Sequence, residues 1–207
     1  MLLELSDLQM LGIAISLISG MVIFVVLLKR LGDVENARKE VELSNFATEN
    51  GFECLFRYSL DQLLTLTGEF QLFDWAWGRY LQVILIGGSS NRKEVIGVYA
   101  YRLPSTEGLG LVKKTFYYAD LDGSETSLRR FSCRNALYRI LFNVEDVSNL
   151  KNKSVEALAC KNGWDIELNG RGILLYQKGR EYSVLQLQKM LSDMRRISEL
   201  VERECVP

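Results

Sequence analysis

The chain is predicted to be an α+β protein: one N-terminal transmembrane helix, then a cytoplasmic domain with a mostly antiparallel sheet flanked by helices. Three observations predict this. Met10 to Leu28 carries no charge. The middle of the chain is a series of β-branched and aromatic runs separated by turn residues. The C-terminal segment repeats apolar residues at helical spacing. Clustered strands with helices at the ends point to an α+β arrangement. The predicted division is a short extramembrane segment over 1–9, a membrane helix over 10–28, a helical linker over 29–50 and the domain over 51–207.

The run "MLGIAISLISGMVIFVVLLKR" opens on Met10. Its uncharged part would make about 28 Å of helix, close to the hydrocarbon thickness of a bilayer. A cleaved signal peptide would have a basic start and a small-residue cleavage site. Here the start carries Glu4 and Asp7, and the run ends in bulky residues. Lys29 and Arg30 close it, with Arg38 and Lys39 beyond, whereas no Lys or Arg precedes it. The positive-inside rule then puts the N-terminus outside and residues 31–207 in the cytoplasm, so the expected location is the inner or plasma membrane. Gly12, Ser16 and Gly20 recur every four residues and fall within about 80° of one helix face, where Ser19 joins them. Such a face lets another helix backbone approach closely. The expected partners are therefore the lipid bilayer and a second transmembrane helix, from another copy or from a larger complex.

Residues 31–50 read as a helix, with Asp33 as a cap, Glu35 and Lys39 as an i,i+4 pair, and Asn50-Gly51 as the end. A short helix is expected near Leu60 to Leu66, then a strand through "GEFQLFDWAWGRY". The runs 79–88 and 93–103 form an expected hairpin of central strands across "GGSSNR". A second hairpin is expected over 112–134 with Asp122-Gly123 at its turn. A helix is expected from Val144 to Asn162, with Leu150, Ala157 and Leu158 inward and Gly163 ending it. "WDIELNGRGILLYQKG" (164–179) reads as a hairpin turning at Asn169-Gly170, its Asp165 and Glu167 on the solvent face. From Ser183 to Arg203, the stripe Val184, Leu187, Leu191, Met194, Ile197 and Val201 is expected to cover a sheet of the same domain.

The chain has 207 residues and no histidine, which excludes Ser-His-Asp and Cys-His catalysis and His-ligated metals. The formal net charge is −1, with no basic stripe, so nucleic acid is not an expected partner. Neither a cofactor nor a metal is expected. Cys54, Cys133, Cys160 and Cys205 form no CxxC pair. They read as dispersed thiols of a reducing compartment, although an even count also allows two disulfides. "DLDGS" at 120–124 lacks the later ligands of a calcium loop, and "GGSSNR" lacks the lysine spacing of a phosphate loop. The carboxylate pairs Asp61/Glu69, Glu145/Asp146 and Asp165/Glu167 read as surface charge. The aromatic cluster around Phe70 and Tyr80 reads either as core or as a docking surface, with Phe73, Trp75 and Trp77 as the docking candidates.

"RFSCR" sets Arg130 and Arg134 in an RxxxR array, and Asn152, Lys153 and Ser154 follow as N-x-S. These residues resemble the signature of PilZ domains, which bind cyclic di-GMP. The chain departs from that signature at Ala157, where the family has glycine, and in "NALYRILF", which reads as helix where the family begins a barrel. The resemblance implies a site for a small anionic ligand such as a cyclic dinucleotide, contacted by Arg129, Arg130 and Arg134. The primary functional expectation is different: a non-catalytic accessory or scaffolding subunit of a larger membrane complex. The ligand-binding sensor comes second, and a histidine-free enzyme using carboxylates or a cysteine third.

Overall fold

The computed structural model describes residues 7–56, 58–68, 70–74, 77–89, 92–105, 108–121, 126–150, 152–170, 172–178 and 184–205. The chain divides into two compact units, 1–43 and 44–207.

The first unit is helical. Helix α1, Asp7–Glu49, runs for 43 residues without a break at the predicted Asp33 cap. The predicted Glu35–Lys39 pair forms at 2.9 Å, and Arg38 pairs with Glu42 in the same way. Among the described residues, no helix is long and apolar enough to cross a membrane. The span predicted over 10–28 is therefore unsupported on that count. From Ser16, where the described side chains begin, to Leu28 is about 20 Å of uncharged helix, shorter than a bilayer core, and extension past Leu28 takes in Lys29, Arg30 and Asp33.

The second unit begins with the last turns of α1, where Phe46 and Ala47 are buried. Among the described residues, eight strands form one sheet in the order β1-β2-β3-β4-β8-β7-β5-β6. They are β1 (Phe52–Leu55), β2 (Trp77–Ser89), β3 (Arg92–Ser105), β4 (Gly108–Asp120), β5 (Thr126–Ser132), β6 (Glu145–Asp146), β7 (Asp165–Gly170) and β8 (Gly172–Lys178). All neighbours are antiparallel except β5 and β6. The helices are α2 (Leu60–Thr67), α3 (Gln71–Asp74), α4 (Ala136–Phe142), α5 (Lys153–Asn162) and α6 (Val184–Cys205).

The β2–β3 and β7–β8 hairpins form as predicted. The second predicted hairpin does not: β4 pairs with β3 and β8, while β5 pairs with β7 and β6. The β7–β8 hairpin enters between them because Ile166, Leu168, Ile173, Leu174 and Leu175 are apolar on both faces and belong in a doubly covered centre. Asp122-Gly123 lies outside the described residues.

Helices cover both faces. On one, Leu63 of α2 and Phe70, Leu72 and Phe73 around α3 pack with Tyr99, Phe116 and Tyr118. A Cβ on Gly97 would come within 2.6 Å of the Phe116 ring, so a side chain there would displace it. Helix α2 starts on a capping box between Ser59 and Gln62. The strand expected through "GEFQLFDWAWGRY" is instead α3 followed by the start of β2. On the other face α6 lays down Leu187, Leu191, Met194, Ile197 and Val201, all buried, as its stripe predicted. Buried Glu94 of β3 ties α6 to the sheet: it accepts from Tyr117 Oη at 2.8 Å and from Arg195 through Nε and Nη2 at 3.0 and 2.6 Å. The helix expected over 144–162 is divided into β6, a 3-10 turn over Val147–Leu150, and α5. Leu150 is buried as expected, but Val155 and Ala159 face inward in place of Ala157 and Leu158. Gly163 ends α5 in the left-handed conformation, φ 69°.

Candidate functional site

The densest charge in the domain gathers where β5, β7, β8 and β4 lie side by side. Register decides its membership. Ser132 is opposite Asp165, Arg130 opposite Glu167, and Tyr176 opposite Asp165 on the other side. Phe116 pairs with Tyr176, so Lys114, two residues earlier on β4, shares this face.

The predicted solvent-facing carboxylates are in fact interior: Asp165 is buried and Glu167 is 0% exposed. A strand's alternate face reaches water only if nothing covers it, and here Arg130, Ser132 and Tyr176, all buried, share it. Arg130 Nε is 4.0 Å from Glu167, and Arg134 Nη2 is 3.2 Å from Asp165. Ser132 Oγ donates to Asp165 Oδ1 and accepts the backbone N–H of Arg134 at 3.2 Å. The Lys114 ammonium lies 4.5 Å above the Tyr176 ring. Burial lowers the Lys114 pKa to about 8; Asp165 and Glu167 work against that fall, and Arg134 and Arg130 add to it. Burial likewise pushes the Tyr176 hydroxyl well above the ordinary tyrosine range, with Asp165 adding to the rise.

Arg129 points to the opposite face from Arg130, as alternation requires. It makes two bonds to Glu145, at 2.8 and 3.2 Å, and its guanidinium lies 4.8 Å from the Phe131 ring centre. That bond holds the Glu145 carboxyl below the usual range. The three arginines of the candidate ligand site are thus not convergent, and each is paired with a carboxylate. Asn152, the start of the N-x-S motif, caps α5, accepting from the backbone N–H groups of Ser154 at 2.9 Å and Val155 at 3.2 Å.

The cysteines hold the main surprise. Cys133, just past β5, is joined to Cys160 in α5 by a disulfide, with Cα atoms 5.2 Å apart. The expectation of dispersed thiols fails for this pair. Their separation of 27 residues hid a proximity that depends on how β5 and α5 meet. Cys54 is half-buried and takes no part in a disulfide. A cavity of about 330 Å³ opens beside the disulfide, lined also by Arg134, Asn162, Trp164 and Gln177.

The docking aromatics separate. Phe73 is wholly buried, edge-on to Tyr99 and Phe116 at 5.3 and 5.2 Å, which corrects its assignment to a docking surface. Trp75 lies outside the described residues, and Trp77 is known only as the first residue of β2. On α1, Gly12, Ser16, Ser19, Gly20, Lys29 and Arg30 all lie within the helix. Ser16 and Ser19 are exposed, and a Cβ on Gly20 would meet nothing within 4 Å. Sequence reasoning passed over the apolar side chains of α4, where Leu137 and Ile140 are exposed. Among the described residues no group of three or more Cys, Asp or Glu is placed to hold a metal ion. No protein-family model, curated protein or solved structure matches this chain.

Proposed function

We propose that the protein is a membrane-anchored, non-catalytic accessory or scaffolding subunit, with residues 10–28 as its span and the sheet domain as its working part. The observation that carries this reading is the first half of α1. Ten large apolar side chains from Leu17 to Leu28 are 49 to 71% exposed on a single helix. A soluble protein rarely leaves so continuous an apolar surface in water. Lipid, together with a partner helix on the Gly12/Ser16/Gly20 side, would cover it. Lys29 and Arg30 favour a cytoplasmic domain with the N-terminus outside. The Cys133–Cys160 bond stands against a permanently reducing surrounding. Protease treatment of intact cells decides the side: digestion of the domain from outside refutes the orientation.

Within the domain the arrangement of the arginines favours this reading over the anionic-ligand sensor, because Arg129 lies on the opposite face from Arg130 and the three do not converge on one ligand. Purification in mild detergent with mass spectrometry of the associated proteins tests the proposal. A stoichiometric membrane partner is expected, and a protein that runs alone as a monomer refutes it.

A further inference from the structure

We propose that Cys133–Cys160 is a thiol–disulfide exchange site that takes a small anionic thiol onto Cys160. The two sulfurs are unequal in access: Cys160 is exposed on α5, whereas Cys133 is half-buried at the end of β5. An incoming thiolate therefore reaches Cys160 first. The adjoining cavity, about 330 Å³, is the size of a small-molecule subsite and is walled by the disulfide itself. Two charged residues line it, Arg134 and Asp165, and of the pair the Arg134 side chain is 35% exposed while Asp165 is only 4% exposed. The carboxylate thus holds the guanidinium from the protein side, and the cation meets solvent. Trp164, another wall residue, is buried, and its indole Nε1–H has no hydrogen-bond partner among the described residues. Asn162 adds an amide, already bonded to Leu158 O at 3.0 Å and Asp193 at 3.3 Å. The solvent-facing guanidinium of Arg134 suits a thiol that carries carboxylates.

The exchange balances without an external oxidant. The thiolate attacks Cys160 Sγ and forms a new S–S bond. The Cys133–Cys160 bond breaks, and its electron pair leaves on Cys133 Sγ as a thiolate. Arg134, on the same cavity wall, favours that charge. In the reverse step the Cys133 thiolate attacks Cys160 Sγ and expels the small thiol. Opening removes the covalent tie between α5 and the end of β5, while Asn162 of α5 stays bonded to Asp193 of α6 at 3.3 Å. This chemistry is independent of the anchored-subunit reading and survives its failure.

The test uses the full chain in detergent, with glutathione as the anionic probe and cysteamine as the cationic one, compared at equal thiolate concentration. After alkylation of free thiols, peptide mass spectrometry locates the adduct. Glutathione is expected on Cys160, about fivefold faster than cysteamine at low salt, the size of one solvent-exposed charge contact. The preference is expected to vanish in 1 M salt, where screening reaches about 3 Å, and in Arg134→Gln. Cys133→Ser, which lacks the returning thiol, is expected to retain the adduct offered by oxidised glutathione. The two-thiol comparison and its salt dependence are read on the unmodified protein, so they stand even if Arg134→Gln fails to fold. An adduct confined to Cys133, a pair that opens only on unfolding, or equal rates for the two thiols at low salt overturns the assignment.

Discussion

Lys114 offers a stability measurement whose sign runs against habit, since replacing it by Met should strengthen the domain at neutral pH. Its ammonium is half-buried over Tyr176, faced by Asp165 and Glu167 of β7 and by Arg130 and Arg134 on and just beyond β5. Folding lowers its pKa from 10.5 to about 8. The unfolded chain therefore holds a proton that the folded chain has lost between these values, and stability rises with pH across that window. At pH 7 the charged form costs the fold about 3 kcal/mol, and by pH 10 the residual cost is about 1 kcal/mol. Solvent at its half-buried edge makes the first figure an upper one. The cation–π contact returns about 1 kcal/mol. Lys114→Met should therefore gain about 2 kcal/mol at pH 7, and that gain should shrink by a similar amount towards pH 10. Urea unfolding of both proteins, followed by circular dichroism in the same detergent, reads the difference. Tyr117, Tyr118 and Tyr176 have pKa values raised chiefly by burial, so their contribution is lost only above the ordinary tyrosine pKa, and it cancels between the two proteins. A gap that stays constant between pH 7 and 10, or that widens with pH, would refute the reasoning.

Other outcomes follow from the same contacts. Phe73→Ala should cost about 3–5 kcal/mol and lower the melting temperature by about 10 °C, because the buried ring leaves a cavity between Tyr99 and Phe116; an unchanged melting temperature with a lost partner would return Phe73 to a docking role. Arg195→Met should cost about 3–5 kcal/mol by leaving Glu94 with Tyr117 as its remaining bonded partner among the contacts described, and Glu94→Gln in the same chain should recover much of it in a double-mutant cycle. Arg129→Ala should change stability by less than about 1 kcal/mol, since it and Glu145 are each near 40% exposed. Gly12→Leu and Gly20→Leu should weaken association of the anchor in a membrane two-hybrid assay while Val25→Leu does not; equal behaviour of all three leaves α1 without a preferred packing face.

The elements that were legible share one property, which is that their signals are local. The α6 stripe, the β2–β3 and β7–β8 hairpins and the Gly163 terminus each depend on backbone and side-chain preferences within a few residues, although Asn169 pairs with Gly172 and the turn falls one residue beyond the predicted Asn169-Gly170. Where neighbouring signals conflicted, the reading went astray. "GEFQLFDWAWGRY" has strand-like composition, yet Phe70, Leu72 and Phe73 are all buried around a short helix in the layer over Tyr99 and Phe116. The charged site was illegible for a stronger reason. Asp165 and Glu167 alternate with Trp164, Ile166 and Leu168 as a solvent face would, and their burial depends on strands 30 to 50 residues away.

The amino-acid order alone establishes the uncharged run with its basic end, the absence of histidine chemistry and the α+β class with its two hairpins, because composition and short-range periodicity carry that information. Which strands became neighbours was settled by folding. Burying β7 and β8 on both faces drove that hairpin between β4 and β5, and the same insertion brought Arg130 to Glu167 and Arg134 to Asp165. The disulfide belongs with these long-range outcomes, since a bond between Cys133 and Cys160 requires α5 to lie against the end of β5. Pairing across such distances reflects how the whole apolar surface is best covered, and no local preference encodes it.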